Sequence, residues 1–187
     1  VKEIAHRAHA AGAVVLVGRG DRILYQKAIG NRALVPAAEP MTLDTIFDLA
    51  SLTKVVATTT SVMMLVEQGQ IRLNDRVATY IPGFERYGKG EITVRHLLTH
   101  VSGLRPDVDL ADLWMGYETA IALAVDEVPT SRPGERFVYS DINFFLLGDI
   151  VQRVSKLPLD RFALTVIVLV AALNIVSADN WPQWRGP

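Results

Sequence analysis

The spacing of apolar positions changes period along the chain. Ala13-Val14-Val15-Leu16-Val17 is a β-branched apolar run and reads as a strand. Gly18-Arg19-Gly20-Asp21 carries strong turn chemistry, and Arg22 to Gly30 reads as a strand returning beside the first. The two make a β-hairpin. Residues 1 to 12 read as the end of a helix, with Ile4, Ala5 and Ala8 on one side and Gly12 as a stop. Residues 31 to 45, with Pro36 and Pro40, are expected to be a loop.

Helical spacing takes over at Ser51. Val55, Val62, Met63, Leu65 and Val66 fit a largely buried helix that Gly69 stops. Its segment Ala57-Thr58-Thr59-Thr60-Ser61 is rich in small residues, as close packing requires. Asn74-Asp75 and Pro82-Gly83 mark a long connection. Short helices are expected from Val94 to His100, ending near Gly103, and from Glu118 to Val128, followed by a turn at Arg132-Pro133-Gly134. From Asp141, the positions Ile142, Phe145, Leu146, Ile150 and Val154 repeat at three and four residues and predict a further helix. The order is a hairpin followed by several helices, without internal repeats.

Leu164 to Val176 is almost wholly apolar, broken by Thr165 and Asn174. It falls short of the ~20 residues that span a bilayer. Two readings stand. One is a buried C-terminal strand or helix, with Val166 to Val170 a candidate strand to pair with the Ala13–Val17 hairpin, followed by a Trp-rich end. The other is the apolar stretch of a secretory signal peptide, with Val176-Ser177-Ala178 as its small residues. Asp179 to Pro187 then resembles the first mature residues of secreted propeller proteins of the quinone-binding-repeat type. On that reading residues 164–187 come from a fusion, deletion or frameshift, and residues 1–163 form one partial domain.

Composition narrows the field. The 187 residues, half of them hydrophobic, suit one domain with a sizeable core, or one domain plus an appendage. Lysine plus arginine total 19 against 20 for aspartate plus glutamate, so no basic field argues for nucleic acid. With no cysteine, disulfides, thiol catalysis and zinc-thiolate sites are excluded, although this does not choose between cytoplasm and periplasm. The chain opens Val1-Lys2-Glu3, and its polar, alanine-rich start does not form a secretion signal. Trp114, Trp181 and Trp184 read as packing or surface residues.

Ser51-Leu52-Thr53-Lys54 is an S-x-x-K motif at a helix start. Residues three apart share a helix face, so the Lys54 amine can approach Ser51 Oγ. A serine hydroxyl is a poor nucleophile until a base takes its proton, and a lysine that burial has stripped of charge can be that base. The backbone N–H groups of the helix N-terminus would help to hold an oxyanion. The bland alternative makes Ser51 an N-cap and Lys54 a solvated residue, but a lysine in the first turn opposes the helix dipole. Tyr139-Ser140-Asp141 follows the Pro133-Gly134 turn and precedes a helix. Its phenol can relay a proton if a cation such as Lys54 lowers its pKa, while Ser140 or Asp141 caps the helix.

The hairpin, Ser51-x-x-Lys54, His96-Leu97-Leu98-Thr99-His100-Val101-Ser102-Gly103-Leu104 and Tyr139-Ser140-Asp141, in this order, resemble the class C β-lactamase and penicillin-binding-protein-like serine hydrolases. The likeness runs from about Ala13 to Phe162. It implies an α+β, β-lactamase/transpeptidase-like fold, here incomplete: an N-terminal hairpin and a helical region without the C-terminal sheet strands. It implies Ser51 as acylated nucleophile, Lys54 as base, Tyr139 as proton relay and Asp141 as a substrate-binding residue. The family often has asparagine at this last position, and an ionised acid cannot donate an amide hydrogen bond. The resemblance gives the His96–His100 segment a structural role; two histidines without a third ligand are expected to hold no metal. No cofactor is implied, and a periplasmic or secreted location is.

The family's third motif, lysine or histidine, one residue, then glycine, has no candidate after Tyr139: Lys156 is followed by Leu157-Pro158. Two functions are therefore carried forward. One is a serine acyl hydrolase acting on esters, amides or β-lactams. The other is an impaired remnant or binding fragment that assembles with a partner chain. A hairpin with an exposed edge also invites self-association into a homo-oligomer.

Overall fold

The structure is a computed structural model that describes residues 10–109 and 115–176, with side chains up to residue 168. Of the helix expected over residues 1 to 12, the first nine lie outside the described residues, as do Trp114, Ser177-Ala178 and Asp179–Pro187; Ala10 and Ala11 are not helical, and Gly12 opens a strand instead of stopping a helix. The chain divides into two compact units, Val1–Leu49 and Ala50–Pro187.

The first unit is an antiparallel sheet of order β1-β2-β3, with β1 at Gly12–Arg19, β2 at Arg22–Ala33 and β3 at Glu39–Pro40. Gly12 opens β1 opposite Gly30, and the register shifts between Val17 and Gly18. Gly30 has φ +78°, and a Cβ there would strike the Ala11 backbone, so only glycine fits this close crossing. The loop expected over residues 31 to 45 is partly strand: Asn31 pairs with Pro40 and Ala33 with Glu39, and Arg32 Nε donates to Glu39 Oε2 at 2.8 Å. Pro40 lacks an N–H and suits the outer strand it occupies. β1 is the other edge. Leu16, Ile23 and Leu24 of the hairpin are exposed.

The second unit is helical. A π-helical stretch, Lys54–Thr59, runs into α1, Thr60–Glu67. The hydroxyl of Thr60 donates to Val55 O, five residues back, at 3.1 Å, which matches the widened turn. Gly69, at φ +70°, follows the helix end as expected. The long connection holds two short 3₁₀ turns, Val77–Thr79 and Arg86–Glu91. Lys89 in the second is fully buried, and its ammonium donates to Val125 O at 2.7 Å and Glu127 O at 2.5 Å. Those carbonyls belong to the C-terminal end of α3, Tyr117–Asp126, where a cation complements the helix dipole.

Helix α2, Val94–Leu98, is fixed by a reciprocal cap: Thr93 Oγ1 accepts the His96 N–H and His96 Nδ1 accepts the Thr93 N–H. Helix α4, Asp141–Ser155, starts at Ser140, whose Oγ accepts the Asn143 N–H at 3.4 Å. Its apolar stripe of Ile142, Leu146, Leu147, Ile150 and Val151 joins Val62 and Leu65 of α1 and Val94 and Leu97 of α2 in one core. Helix α5, Leu159–Val176, packs against α1, its π-helical lead and α4, burying Ala163 and Val166. Residues 166 to 170 are thus helical, not a strand paired with the hairpin. One continuous helix also crosses the 163/164 boundary drawn from sequence. No helix among the described residues is long and apolar enough to cross a membrane.

Leu146→Ala is expected to lower unfolding free energy by about 2–5 kcal/mol, as truncation at a fully buried site does. Gly103→Ala should also destabilise, because Gly103 has φ +85° and a Cβ would collide with Ser131 O. Urea unfolding curves read both; wild-type midpoints for the two variants would contradict this packing.

Candidate active site

The segment from His100 to Pro106 assembles the site, although it is neither helix nor strand. Its carbonyls receive the next polypeptide stretch in turn. The Gly103 carbonyl accepts the Thr130 N–H at 2.8 Å, Val101 accepts Gly134 at 2.7 Å, His100 accepts Val138 at 2.8 Å and Pro106 accepts Asp141 at 2.7 Å. The Ser140 hydroxyl donates to Arg105 O at 2.6 Å. This ladder sets Tyr139-Ser140-Asp141 at the start of α4, beside the π-helical lead of α1.

The ladder brings all four sequence-predicted site residues together. Lys54 Nζ donates to Ser51 Oγ at 3.3 Å. The same Nζ stands 2.5 Å from Asp141 Oδ1, an ion pair in which that oxygen makes no aligned hydrogen bond. It lies 5.2 Å from the centre of the Tyr139 ring and 5.8 Å from that of Phe144. The Tyr139 hydroxyl interacts with both Ser51 and Lys54. Ser51 is exposed, as an attacking group must be, and it directly precedes the first helical residue, Leu52. The position suits a capping residue, and Ser51 Oγ also has Lys54 Nζ as a partner. Ala50, just before it, sits at φ +43°, a strained backbone for alanine of the kind that concentrates at functional sites.

The electrostatics refine the expectation for Lys54. Burial pushes its ammonium pKa down, but the Asp141 carboxylate and the Tyr139 hydroxyl push it up further, and the net shift is upward. A lysine stripped of charge by burial is thus corrected: the Asp141 carboxylate beside it favours the ammonium. Tyr139 moves the other way. Hydrogen bonds with Ser51 and Lys54 hold its phenol below the usual range, outweighing the opposing effects of burial and of the Asp141 charge. Asp141, expected to face substrate, directs its carboxylate at Lys54.

His100 was read from sequence as part of a structural segment, and it touches the site directly. Its ring stacks on Tyr139 at 4.6 Å between centroids, with Phe144 at 5.2 Å and Phe137 edge-on at 5.9 Å. Asn143 and Ser102, both buried, complete a network in which Ser102 Oγ donates to Asn143 Oδ1 at 2.6 Å. Nothing in the sequence pairs His100 with residue 139; the link exists only through the carbonyl ladder. Among the described residues no group of three or more histidines and carboxylates stands close enough to hold a metal ion.

The β-lactamase family profile matches residues 1–168. A Salmonella typhimurium protein named "Putative D-alanyl-D-alanine carboxypeptidase" is 31% identical over 172 residues, covering 82% of this chain and 40% of that protein. The solved structure of EstCE1, described as a hydrolase with promiscuous acyltransferase activity, superposes with a TM-score of 0.76 at 25% identity, over 91% of this chain and 49% of that one. The octameric penicillin-binding protein homologue from Pyrococcus abyssi gives a TM-score of 0.75 at 31% identity, over 92% and 41%. The chain thus spans less than half the length of these relatives. With its S-x-x-K serine and lysine beside the tyrosine motif on a β-lactamase/transpeptidase-like fold, the chain belongs to the β-lactamase family of serine hydrolases.

Proposed function

We propose that the chain carries the nucleophilic half of a serine acyl hydrolase that works through an acyl-enzyme on small esters, amides or β-lactams. The observation that carries the reading is the contact of one ammonium, Lys54, with Ser51, Tyr139 and Asp141 together. Lys54 and Tyr139 are close enough to titrate as a pair, and the active form is the one that has lost a single proton. Asp141 keeps Lys54 charged, so the pair's vacancy falls on the Tyr139 oxygen. Ser51 Oγ attacks the acyl carbon while its proton passes to that oxygen. The bond from acyl carbon to the leaving oxygen or nitrogen then breaks, and the leaving group takes the proton. Water repeats the sequence on the acyl-enzyme: it gives a proton to the pair, and Ser51 departs with it. Asp141, at the mouth of the site, can accept but not donate a hydrogen bond to substrate when ionised.

Self-association is supported by the unpaired outer side of β1 among the described residues and by the octameric state named for the Pyrococcus abyssi homologue.

A fluorophosphonate probe should label the wild-type chain and not Ser51→Ala. Tyr139→Phe should slow labelling by about 10²–10⁴-fold, the usual range for a lost general acid–base. Absence of labelling in folded wild-type protein would favour the fragment that needs a partner chain. Asp141→Asn should move the rising limb of the pH–labelling profile to lower pH, since removing the carboxylate makes both Lys54 and Tyr139 easier to deprotonate.

Stability carries the opposite signature. Lys54 has a folded-state pKa raised above its ordinary 10.5, so its contribution is complete at pH below about 10.5 and lost as pH rises through the raised value. The stability gap between wild type and Asp141→Asn, read by urea unfolding, should therefore be largest near neutral pH and shrink as pH rises from the variant's lowered Lys54 and Tyr139 values through the raised wild-type Lys54 value. A gap that grows there would refute the pairing.

A further inference from the structure

We propose that His100, as a neutral imidazole carrying its proton on Nε2, is the positioning residue for Tyr139, gripping residues 138 to 140 so that the phenol is held toward Ser51 and Lys54. The inference rests on the reading of Ser51, Lys54 and Tyr139 as the reacting groups. Three contacts to three consecutive residues carry it. The His100 carbonyl accepts the Val138 N–H at 2.8 Å. The ring lies 29° from parallel to that of Tyr139, with centroids 4.6 Å apart. Nδ1 accepts the Ser140 N–H at 3.1 Å. One residue thus holds the tyrosine's side chain and the peptide groups on both sides of it.

The tautomer follows from the donor. A backbone N–H can only donate, so Nδ1 presents a lone pair and the single ring proton sits on Nε2. Asn143 agrees. Its Oδ1 receives the Ser102 hydroxyl, whose oxygen also accepts the Leu104 N–H, and this places the amide nitrogen 3.3 Å from His100 Nδ1. The backbone supports the same conclusion. His100 adopts φ +57°, a left-handed conformation costly for a residue with a side chain, and such strain persists where surrounding contacts over-determine it.

The charged and titratable groups facing the ring are Lys54, Asp141 and Tyr139. Burial disfavours the imidazolium most, the Lys54 ammonium adds to this, and Asp141 opposes both; the net effect holds the His100 pKa below 6.5. Protonation at low pH would place an N–H on Nδ1 against the N–H of Ser140 and undo the grip.

Two variants separate the parts. His100→Asn keeps an acceptor near the Nδ1 position and tolerates the left-handed backbone, but has no ring. His100→Phe keeps a ring and has no acceptor. Side-chain ¹⁵N NMR of the wild-type chain should show Nδ1 unprotonated and Nε2 protonated for His100, assigned by loss of the signal in His100→Asn. Ultraviolet difference titration, referenced to Tyr139→Phe, should show the Tyr139 phenol ionising at higher pH in both variants. Fluorophosphonate labelling of Ser51 should slow by about 10–100-fold, as for a misplaced catalytic group. The acid limb of its pH profile that reports His100 should be missing from both variants. A His100 carrying its proton on Nδ1, or variants with wild-type Tyr139 titration and labelling, would overturn the proposal. If the variants fail to fold, the wild-type tautomer decides. If the wild-type chain shows the predicted tautomer and tyrosine titration but Ser51 takes no label, the acyl-hydrolase reading fails and the grip stands.

Discussion

The helical unit depends on a ladder of backbone hydrogen bonds that belongs to no regular element. From His100 to Pro106 the chain forms neither helix nor strand, and its carbonyls and one histidine nitrogen take the N–H groups of Thr130, Gly134, Val138, Ser140 and Asp141. Buried backbone groups must find partners, and here they find them across some thirty to forty residues of sequence. Gly103 makes the approach possible, because only a residue without Cβ leaves room for Ser131 O. The reciprocal cap at Thr93 and His96 aims α2 into this segment, and Ser140 launches α4 out of it. The geometry of the candidate site is thus inherited from backbone bonding rather than from the helices alone.

On this frame the site is electrostatically balanced. The Lys54 ammonium faces the Asp141 carboxylate and lies beside two aromatic rings and Ser51. Isolated, an ammonium in so enclosed a place tends to shed its proton. With Asp141 in place the proton stays, and the retained ammonium in turn lowers the pKa of Tyr139. Aspartate in place of the asparagine common in the family therefore changes more than a hydrogen-bond pattern: its charge raises the pKa of both Lys54 and Tyr139. The π-helical turn after Ser51 and the left-handed Ala50 before it belong to the same region. Both are local costs that the packing of α1, α4 and α5 offsets.

Much of this was legible in the sequence because it rests on short-range rules. The hairpin followed from a β-branched run, a glycine turn and a second apolar run, while its register, with the irregularity between Val17 and Gly18, came from the structure. Helix α4 followed from apolar residues three and four apart, and Ser51 with Lys54 from their spacing on one helix face. Short-range rules failed where pairing is non-local. β3 has only two residues, too few for a period, and exists because Asn31 and Ala33 accept it as a neighbour. Residues 166 to 170 are equally apolar as strand or helix, and burial of Ala163 and Val166 against the other helices selects the helix.

Local sequence therefore determined the hairpin and most of the helices, and it singled out the candidate residues: Ser51, Lys54, Tyr139 and Asp141 stand in motifs a few residues long. Tertiary structure alone decided how those groups act on one another. That Asp141 turns to Lys54, that Lys54 keeps its proton, and that His100 lies against Tyr139 depend on contacts between residues 39 to 87 positions apart. The physical reason is that protonation and orientation respond to distance, burial and hydrogen-bond partners in space, and none of these is a property of neighbours along the chain.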